Sequence, residues 1–282
     1  MKSRYHFGLL GHKIGYTLSP RIFNALGELR GVSIAYTVAD VSPEKFLTEL
    51  KILKTWDGFS VTIPYKETII PHVARLSDEA TAIGAVNSVR VDIGRFIGHN
   101  TDGAAFVSIM RDMGLDGRRF LICGHGGAAS AVAHGLLSEY PEADITVCGR
   151  VKQRVLEFIA AIEARHPAHG ICRATVYDEL AADEAFDLIV NCTPLGGVDH
   201  ADISPLPERF RFLRQPLCYD LVYCPTKTLF LRRAEAAGCR TRGGISMLVR
   251  QAVASYTLWT GETVDGDECS RRVMERITPA NE

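Results

Sequence analysis

Arg119-Phe-Leu-Ile-Cys123, Gly124-His-Gly-Gly-Ala-Ala129 and Ser130-Ala-Val-Ala-His-Gly-Leu-Leu137 follow one another without a break. An apolar run, a glycine turn and a helix-forming stretch give the order strand, turn, helix. Gly124 permits a tight turn, Gly126 lets the backbone come close to a phosphate, and Ala129 fills the small-residue position where helix packs on strand. The free N–H groups at the helix start then face an anion. The glycines alone also fit a plain strand-to-helix turn. About 25 residues on, a second strand, Asp144-Ile-Thr-Val-Cys148, ends in Gly149-Arg150, where such folds read a ribose. Together the two features predict a dinucleotide site.

The same alternation extends outward. On the C-terminal side come a helix over 151–165, strands near Cys172–Val176, Phe186–Val190 and Leu217–Leu221, and a helix Thr228–Ala237 ended by Gly238. Strands separated by helices argue for a parallel doubly wound sheet. On the N-terminal side, Tyr5–Leu10, Ile34–Val38 and Gly58–Thr62 read as strands. Ser19-Pro20 and Ser42-Pro43 read as helix starts, with Ser as N-cap and Pro in the first turn. Phe46, Leu47 and Leu50 share one face of the second helix. Asn87–Val91 and Arg95–Gly98 form a hairpin around Asp92-Ile-Gly94, and Gly103–Met113 is a connecting helix. The tail from Ser246 is helical and closes either half of the chain.

Bulk properties exclude several function classes. The 282 residues suffice for two domains, and 46% apolar with 23% charged content is that of a soluble globular protein. A net charge of −1 offers no field for nucleic acid or an anionic membrane. No apolar run reaches the ~20 residues of a membrane span, and the N-terminus lacks the apolar core of a signal peptide. Eight cysteines stand singly with no CxxC pair, which predicts free thiols in a reducing cytoplasm.

Four segments depart from core patterning. Gly11–Pro20 puts the hydroxyls of Thr17 and Ser19 at a helix N-terminus, suited to a small carboxylate or, for Ser19, to plain capping. Ser60–Glu67 sets Thr62 at a strand end and Lys66 beyond a Pro turn, facing a crevice or merely solvent. Ile83–Ser88 begins a strand with Asn87, a ligand or a turn residue. Gly98–Gly103 offers Asp102 as a reactive group or as the cap of the next helix. His12, His72 and His99 show no ligand spacing, and no metal is expected.

Thr17–Pro20, Val61-Thr-Ile-Pro-Tyr-Lys66, Ile83-Gly-Ala-Val-Asn87, Asn100-Thr-Asp102, Gly124–Ala128, Asn191-Cys-Thr-Pro-Leu-Gly196, Asp220-Leu-Val-Tyr223 and Gly243–Gln251 occur in that order. With them the sequence resembles the shikimate dehydrogenase family from end to end. The resemblance implies two open α/β domains. Residues 1–102 with 246–282 would bind substrate, and 103–245 would form a Rossmann-like domain binding NADP. It implies reversible reduction of 3-dehydroshikimate to shikimate by NADPH, a step of chorismate and aromatic amino acid biosynthesis, in a monomer or homodimer. Lys66 and Asp102 would be the catalytic pair. Thr17 and Ser19, with Tyr223 beside them, would hold the carboxylate, and Thr62, Asn87, Asp102 and Gln251 the ring hydroxyls. The cofactor would meet Gly124, Gly126, Gly127, Ala128, Arg150, Lys152, Arg154, Thr193 and Gly244.

The chemistry suits these residue types. A hydride reaching a ketone carbon builds charge on oxygen, and a Lys both neutralises it and supplies a proton. Three departures stand out: Tyr16-Thr17 in place of the family's His-Ser, Ser60 in place of Asn, and Lys13 in place of Pro. The methyl of Thr17 leaves quinate use open, so a quinate/shikimate or related cyclic hydroxy-acid dehydrogenase is the alternative. At the ribose turn, Gly149-Arg150-Val151 replaces the usual Asn-Arg-Thr, yet Arg150, Lys152 and Arg154 keep the turn cationic and predict NADP over NAD, unless Lys152 and Arg154 are a solvated helix face. A regulatory homologue without turnover is the non-enzyme alternative, and the presence of Lys66 and Asp102 argues against it.

Overall fold

The first apolar run becomes β1 (Arg4–Gly11), and the chain returns through α1 (Ser19–Arg30) to β2 (Ser33–Asp40), parallel to β1. The computed structural model describes residues 2–166 and 170–278, which fall into two compact units. Unit 1 is Met1–Asp102 with Leu248–Glu282, and unit 2 is Gly103–Met247. After β2 come α2 (Phe46–Leu53), β3 (Gly58–Val61), α3 (Tyr65–Thr68), β4 (Arg75–Leu76), α4 (Asp78–Ile83), β5 (Ser88–Asp92) and β6 (Arg95–His99). They complete a six-stranded sheet in the order β2-β1-β3-β5-β6-β4. β1, β2 and β3 are parallel, and the β5–β6 hairpin joins β3 antiparallel.

Local chemistry moves some boundaries. Ser42-Pro43 opens a 3-10 turn, Pro43–Lys45, without a side-chain cap, and α2 starts only at Phe46. Leu47, placed by periodicity on the apolar face, is 62% exposed, because the helix buries Phe46, Leu50 and Leu53 instead. Ser19 does not cap α1: the helix begins at Ser19 itself, behind Leu18 with no side-chain bond. β4 and α4 escape the sequence pattern because a two-residue strand and a six-residue helix are shorter than any periodicity window. Ser77 caps α4 by accepting from Ala80 N–H at 3.2 Å.

Unit 2 opens with α5 (Asp102–Asp112), whose first residue belongs to unit 1. Its elements are β7 (Arg119–Cys123), α6 (Gly127–Glu139), β8 (Asp144–Gly149), α7 (Lys152–Arg165), β9 (Ile171–Val176), β10 (Leu188–Asn191), β11 (Leu217–Asp220), α8 (Leu229–Ala236) and β12 (Thr241–Arg242). The sheet order is β12-β11-β10-β7-β8-β9, and every pairing is parallel. This is the doubly wound order, with its reversal between β7 and β10. Phe120, Ile122, Val132, Leu136, Ile145, Val190 and Tyr219 form the core of one face, fully buried or nearly so. No cysteine forms a disulfide among the described residues, and Cys123, Cys148 and Cys218 are fully buried.

The tail forms α9 (Ile245–Thr260) and α10 (Gly266–Ile277), and from Leu248 it belongs to unit 1. The last residues of that return, 279–282, lie outside the described residues. Trp259 of α9 anchors it: its ring stacks on Phe23 at 5.3 Å, meets Phe7 at 4.8 Å, and its Nε1–H donates to Ser88 Oγ at 3.0 Å. Gly58 makes room for the indole, since a methyl there would run into the ring.

Gly58→Ala therefore overpacks the centre of unit 1. The expected loss is about 1–3 kcal/mol, read as a lower urea midpoint at unchanged slope. A midpoint equal to that of the native chain would mean that the indole shifts freely.

Candidate active site

Strand polarity gathers the unusual residues of unit 1 at one edge of its sheet. β1, β2 and β3 end there, delivering the 12–18 loop, Asp40 and Thr62. The antiparallel pair Ser60↔Ser88 makes β5 start at that edge, and Ser88↔His99 makes β6 end there. Asn87 and Asn100–Asp102 thus arrive beside Thr62 and Lys66.

Lys66 is carried by α3, whose first residue, Tyr65, is locked in the core. The Tyr65 ring stacks on Phe46 at 4.7 Å and its hydroxyl donates to Val41 O at 2.5 Å. The Lys66 carbonyl accepts from Val86 N–H at 2.8 Å, so only the side chain is left to project. Its Nζ donates to Asp102 Oδ2 at 2.6 Å, with the two side chains 18% and 8% exposed. Asn87 Nδ2 donates to the other oxygen, Asp102 Oδ1, at 2.7 Å.

Asp102 is the first residue of α5, yet it does not cap the helix. Asn100 does that work: its Oδ1 accepts from Asp102 N–H at 3.0 Å and its Nδ2 donates to Ala85 O at 2.8 Å. Thr101 completes the cluster, with its N–H donating to Asn87 Oδ1 at 2.8 Å and its hydroxyl donating to the Gln251 carbonyl at 3.2 Å. Gln251 joins through its backbone, while its side-chain Nε2 donates to Leu248 O at 2.8 Å. The Thr62 hydroxyl has no hydrogen bond among the described residues.

Thr17 and Ser19 are brought together as the sequence suggests. The Thr17 hydroxyl donates to Ser19 Oγ at 3.1 Å and accepts from Ser19 N–H at 3.2 Å. The loop that presents them is held by Asp40, which the sequence pattern does not single out. Asp40 accepts from Lys13 N–H at 2.7 Å and Ile14 N–H at 3.1 Å, and Ile14 O accepts from Thr17 N–H at 3.1 Å. Lys13 bears the conformational cost with a φ of 58°.

In unit 2 the parallel strands bring the cofactor candidates to the C-terminal edge. Gly124 ends β7 with φ 112°, and its N–H donates to Cys148 O at 2.8 Å. A Cβ on Gly126 would meet nothing within 4 Å, so open space lies before the first turn of α6, which Gly127 and Ala128 begin. That turn holds no acidic residue. A Cβ on Gly149 would strike Val155 and His125, which ties the β8 turn to the glycine loop. Arg150 and Arg154 are exposed and have no carboxylate partner among the described residues. Lys152 differs, since its Nζ bonds Glu179 Oε2 at 2.5 Å.

Thr193 and Tyr223 follow β10 and β11, and Gly244 follows β12, where a Cβ would collide with the Leu221 carbonyl. Beneath them lies a buried network that the motifs contain but whose role the sequence leaves unstated. Asn191 Oδ1 accepts from the Thr193 hydroxyl at 2.6 Å and from Thr193 N–H at 3.0 Å. Its Nδ2 donates to Asp220 Oδ1 at 2.9 Å. Burial pushes the Asp220 carboxyl up to about 6, against hydrogen bonds from Thr228, Val222 N–H and Asn191 that favour its charge.

Known proteins are similar to this chain. The family described as the shikimate dehydrogenase substrate binding domain matches residues 9–89, and the shikimate 5'-dehydrogenase C-terminal domain matches 244–276. The shikimate dehydrogenase (NADP(+)) of Salinibacter ruber is 39% identical, over 89% of this chain and 90% of its own length. That of Moorella thermoacetica is 36% identical, over 95% of this chain and 90% of its own. The Thermus thermophilus shikimate 5-dehydrogenase, solved in complex with NADP(H) and shikimate, superposes with a TM-score of 0.82 at 31% identity, covering 97% of this chain and all of that one. With two domain matches and identities of this size over most of its length, the chain belongs to the shikimate dehydrogenase family.

Proposed function

We propose that this chain is an NADP-dependent shikimate dehydrogenase that reversibly reduces 3-dehydroshikimate to shikimate. The observation that carries the reading is the Lys66–Asp102–Asn87 cluster: a Lys ammonium held by a buried carboxylate whose second oxygen is also occupied. Unit 1 takes the substrate and unit 2 the cofactor.

The residues of unit 2 fit NADP. The open approach over Gly126, the acid-free start of α6 and the two arginines after β8, which have no carboxylate partner among the described residues, suit a pyrophosphate and a 2′-phosphate. Arg150 and Arg154 are assigned to that phosphate, with Lys152 held back by Glu179. When bound, NADPH supplies the hydride that converts the ketone carbon to a secondary alcohol carbon.

The chain's own side chains do the rest. Lys66 meets the charge growing on the ketone oxygen and gives it a proton from Nζ, and in the reverse direction it takes that proton back. Asp102 keeps the ammonium in place, and Asn87 fixes Asp102. Thr17 and Ser19 turn their hydroxyls to the substrate carboxylate, exchanging the bond they make to each other for bonds to the anion. Thr62 offers its unused hydroxyl to the ring. Eight cysteines with no disulfide among the described residues suit a reducing cytoplasm. Among the described residues no helix is long and apolar enough to cross a membrane.

The direct test follows NADPH absorbance with shikimate, quinate and buffer in parallel. Turnover of shikimate with NADP supports the reading, and the absence of turnover with either acid removes it. Lys66→Ala is expected to lose at least ~100-fold in kcat, the scale of general acid–base catalysis. Because the variant leaves Asp102 buried without its cation, its folding is checked by circular dichroism. Near-native kcat with only a raised KM would assign Lys66 to binding.

Ser19→Ala should raise KM for shikimate by roughly 10–100-fold, the worth of a hydrogen bond to a charged group. A change in thermal stability alone would leave Ser19 a structural role. The native enzyme should favour NADP over NAD by at least ~10-fold in kcat/KM, about 1.4 kcal/mol. Arg150→Ala should erode that ratio through KM for NADP. Equal use of NAD by the native chain would overturn the assignment of the arginines.

A further inference from the structure

Asp220 is fully buried at the end of β11, with no cationic partner among the described residues. An isolated buried carboxylate is costly, and a mere packing role would be filled better by an apolar side chain. Its surroundings explain its identity. Three donors converge on it: Asn191 Nδ2 at 2.9 Å and Val222 N–H at 2.9 Å on Oδ1, and the Thr228 hydroxyl at 2.6 Å on Oδ2. An ionised carboxylate accepts from all three at once, whereas an acid or an amide at this position must donate on the Oδ2 side and so forces the Thr228 hydroxyl to reverse.

Two of the donors, Asn191 and Val222, lead to segments of the proposed cofactor edge, and the third, Thr228, fixes the start of α8. Asn191 is the register partner of Asp220 and holds both the N–H and the hydroxyl of Thr193. The Asn191 amide cannot turn round, because Nδ2 also donates to Leu195 O at 2.9 Å. Val222 precedes Tyr223, and its carbonyl accepts from Gly244 N–H at 3.1 Å. Thr228 caps α8 through Leu231 N–H at 3.3 Å.

We propose that ionised Asp220 is the positioning residue of the NADP site, fixing the segments of Thr193, Val222–Tyr223 and Gly244 through Asn191, Val222 and Thr228. The proposal rests on the dehydrogenase reading above. Asp220 touches no ligand in this role and acts through the loops it holds. Its titratable neighbour among the described residues is the Cys123 thiol of β7, which burial, with the Asp220 charge a lesser cause, holds well above the ordinary thiol range and so neutral. Protonation of Asp220 in mild acid, near the value of about 6 that burial gives it, therefore loosens the three segments together.

The test is calorimetric titration of the full chain with NADP+ at pH 7.5 and pH 5.5. Asp220→Asn should weaken binding about tenfold at pH 7.5, the scale of one hydrogen bond to a charged group. Thr228→Val should weaken it in the same direction, and Thr228→Ser should restore it, which keeps the test open should the Asp220 variant fail to fold. The native chain should lose more affinity between the two pH values than Asp220→Asn does. The NADP+ 2′-phosphate titrates in the same range but does so with both proteins, so the difference between them reads Asp220. Native-like NADP+ affinity in Asp220→Asn with only a lower melting temperature would overturn the proposal, as would identical pH dependence in the two proteins. A native chain that binds no NADP+ would overturn the dehydrogenase reading and this proposal with it.

Discussion

One hydrogen bond decides what the first unit can do: Asn100 Oδ1 takes the first amide of α5. An Asp at a helix start ordinarily spends an oxygen on the amides of its own first turn. Here Asn100 relieves Asp102 of that task, and both carboxylate oxygens are left for side chains, one for Lys66 and one for Asn87. Everything around them serves the same end. Tyr65 is locked into the core so that Lys66 projects from a fixed base, and Thr101 fixes the Asn87 carbonyl so that its amide faces Asp102. The pair is mostly buried and so is screened less by salt than a surface pair, and neither charge is buried without its opposite.

The second unit solves a related problem by different means. Its buried carboxylate has no cation among the described residues and is surrounded by neutral donors from three segments. Burial and hydrogen bonding then oppose each other, and burial wins by enough to push the carboxyl up to about 6. The two carboxylates show how environment separates roles within one chain: Asp102 orients a cation, and Asp220 orients backbone.

Much of this was legible in residue order. The glycine run at 124–129 stands where Gly124 needs a positive φ, and the parallel sheet follows from strands spaced by helices. Lys66 and Asp102 are 36 residues apart, and no periodicity brings them together; family resemblance did so, and the antiparallel β5–β6 hairpin is the physical means. Short elements escaped because β4 has two residues and α4 six. The roles of Asp40, Asn100, Asn191 and Thr228 escaped for another reason: each acts by a bond to backbone or to another polar side chain, and composition carries no trace of such pairing. Lys152 shows the converse, a cation whose spacing suits a phosphate and whose nearest partner is Glu179.

The indole of Trp259 has a consequence for the order in which the chain is made. It is bonded to Ser88 across a separation of 171 positions in sequence, and it fills the space over Gly58. A ribosome adding roughly 5–20 residues per second reaches Trp259 only about 10–30 s after Ser88 has been synthesised. All of unit 2 emerges in that interval, with its strands and helices contiguous in the chain. The nascent protein therefore holds an N-terminal sheet with an open aromatic core while the later unit closes, and α9, followed by α10, seals the first unit.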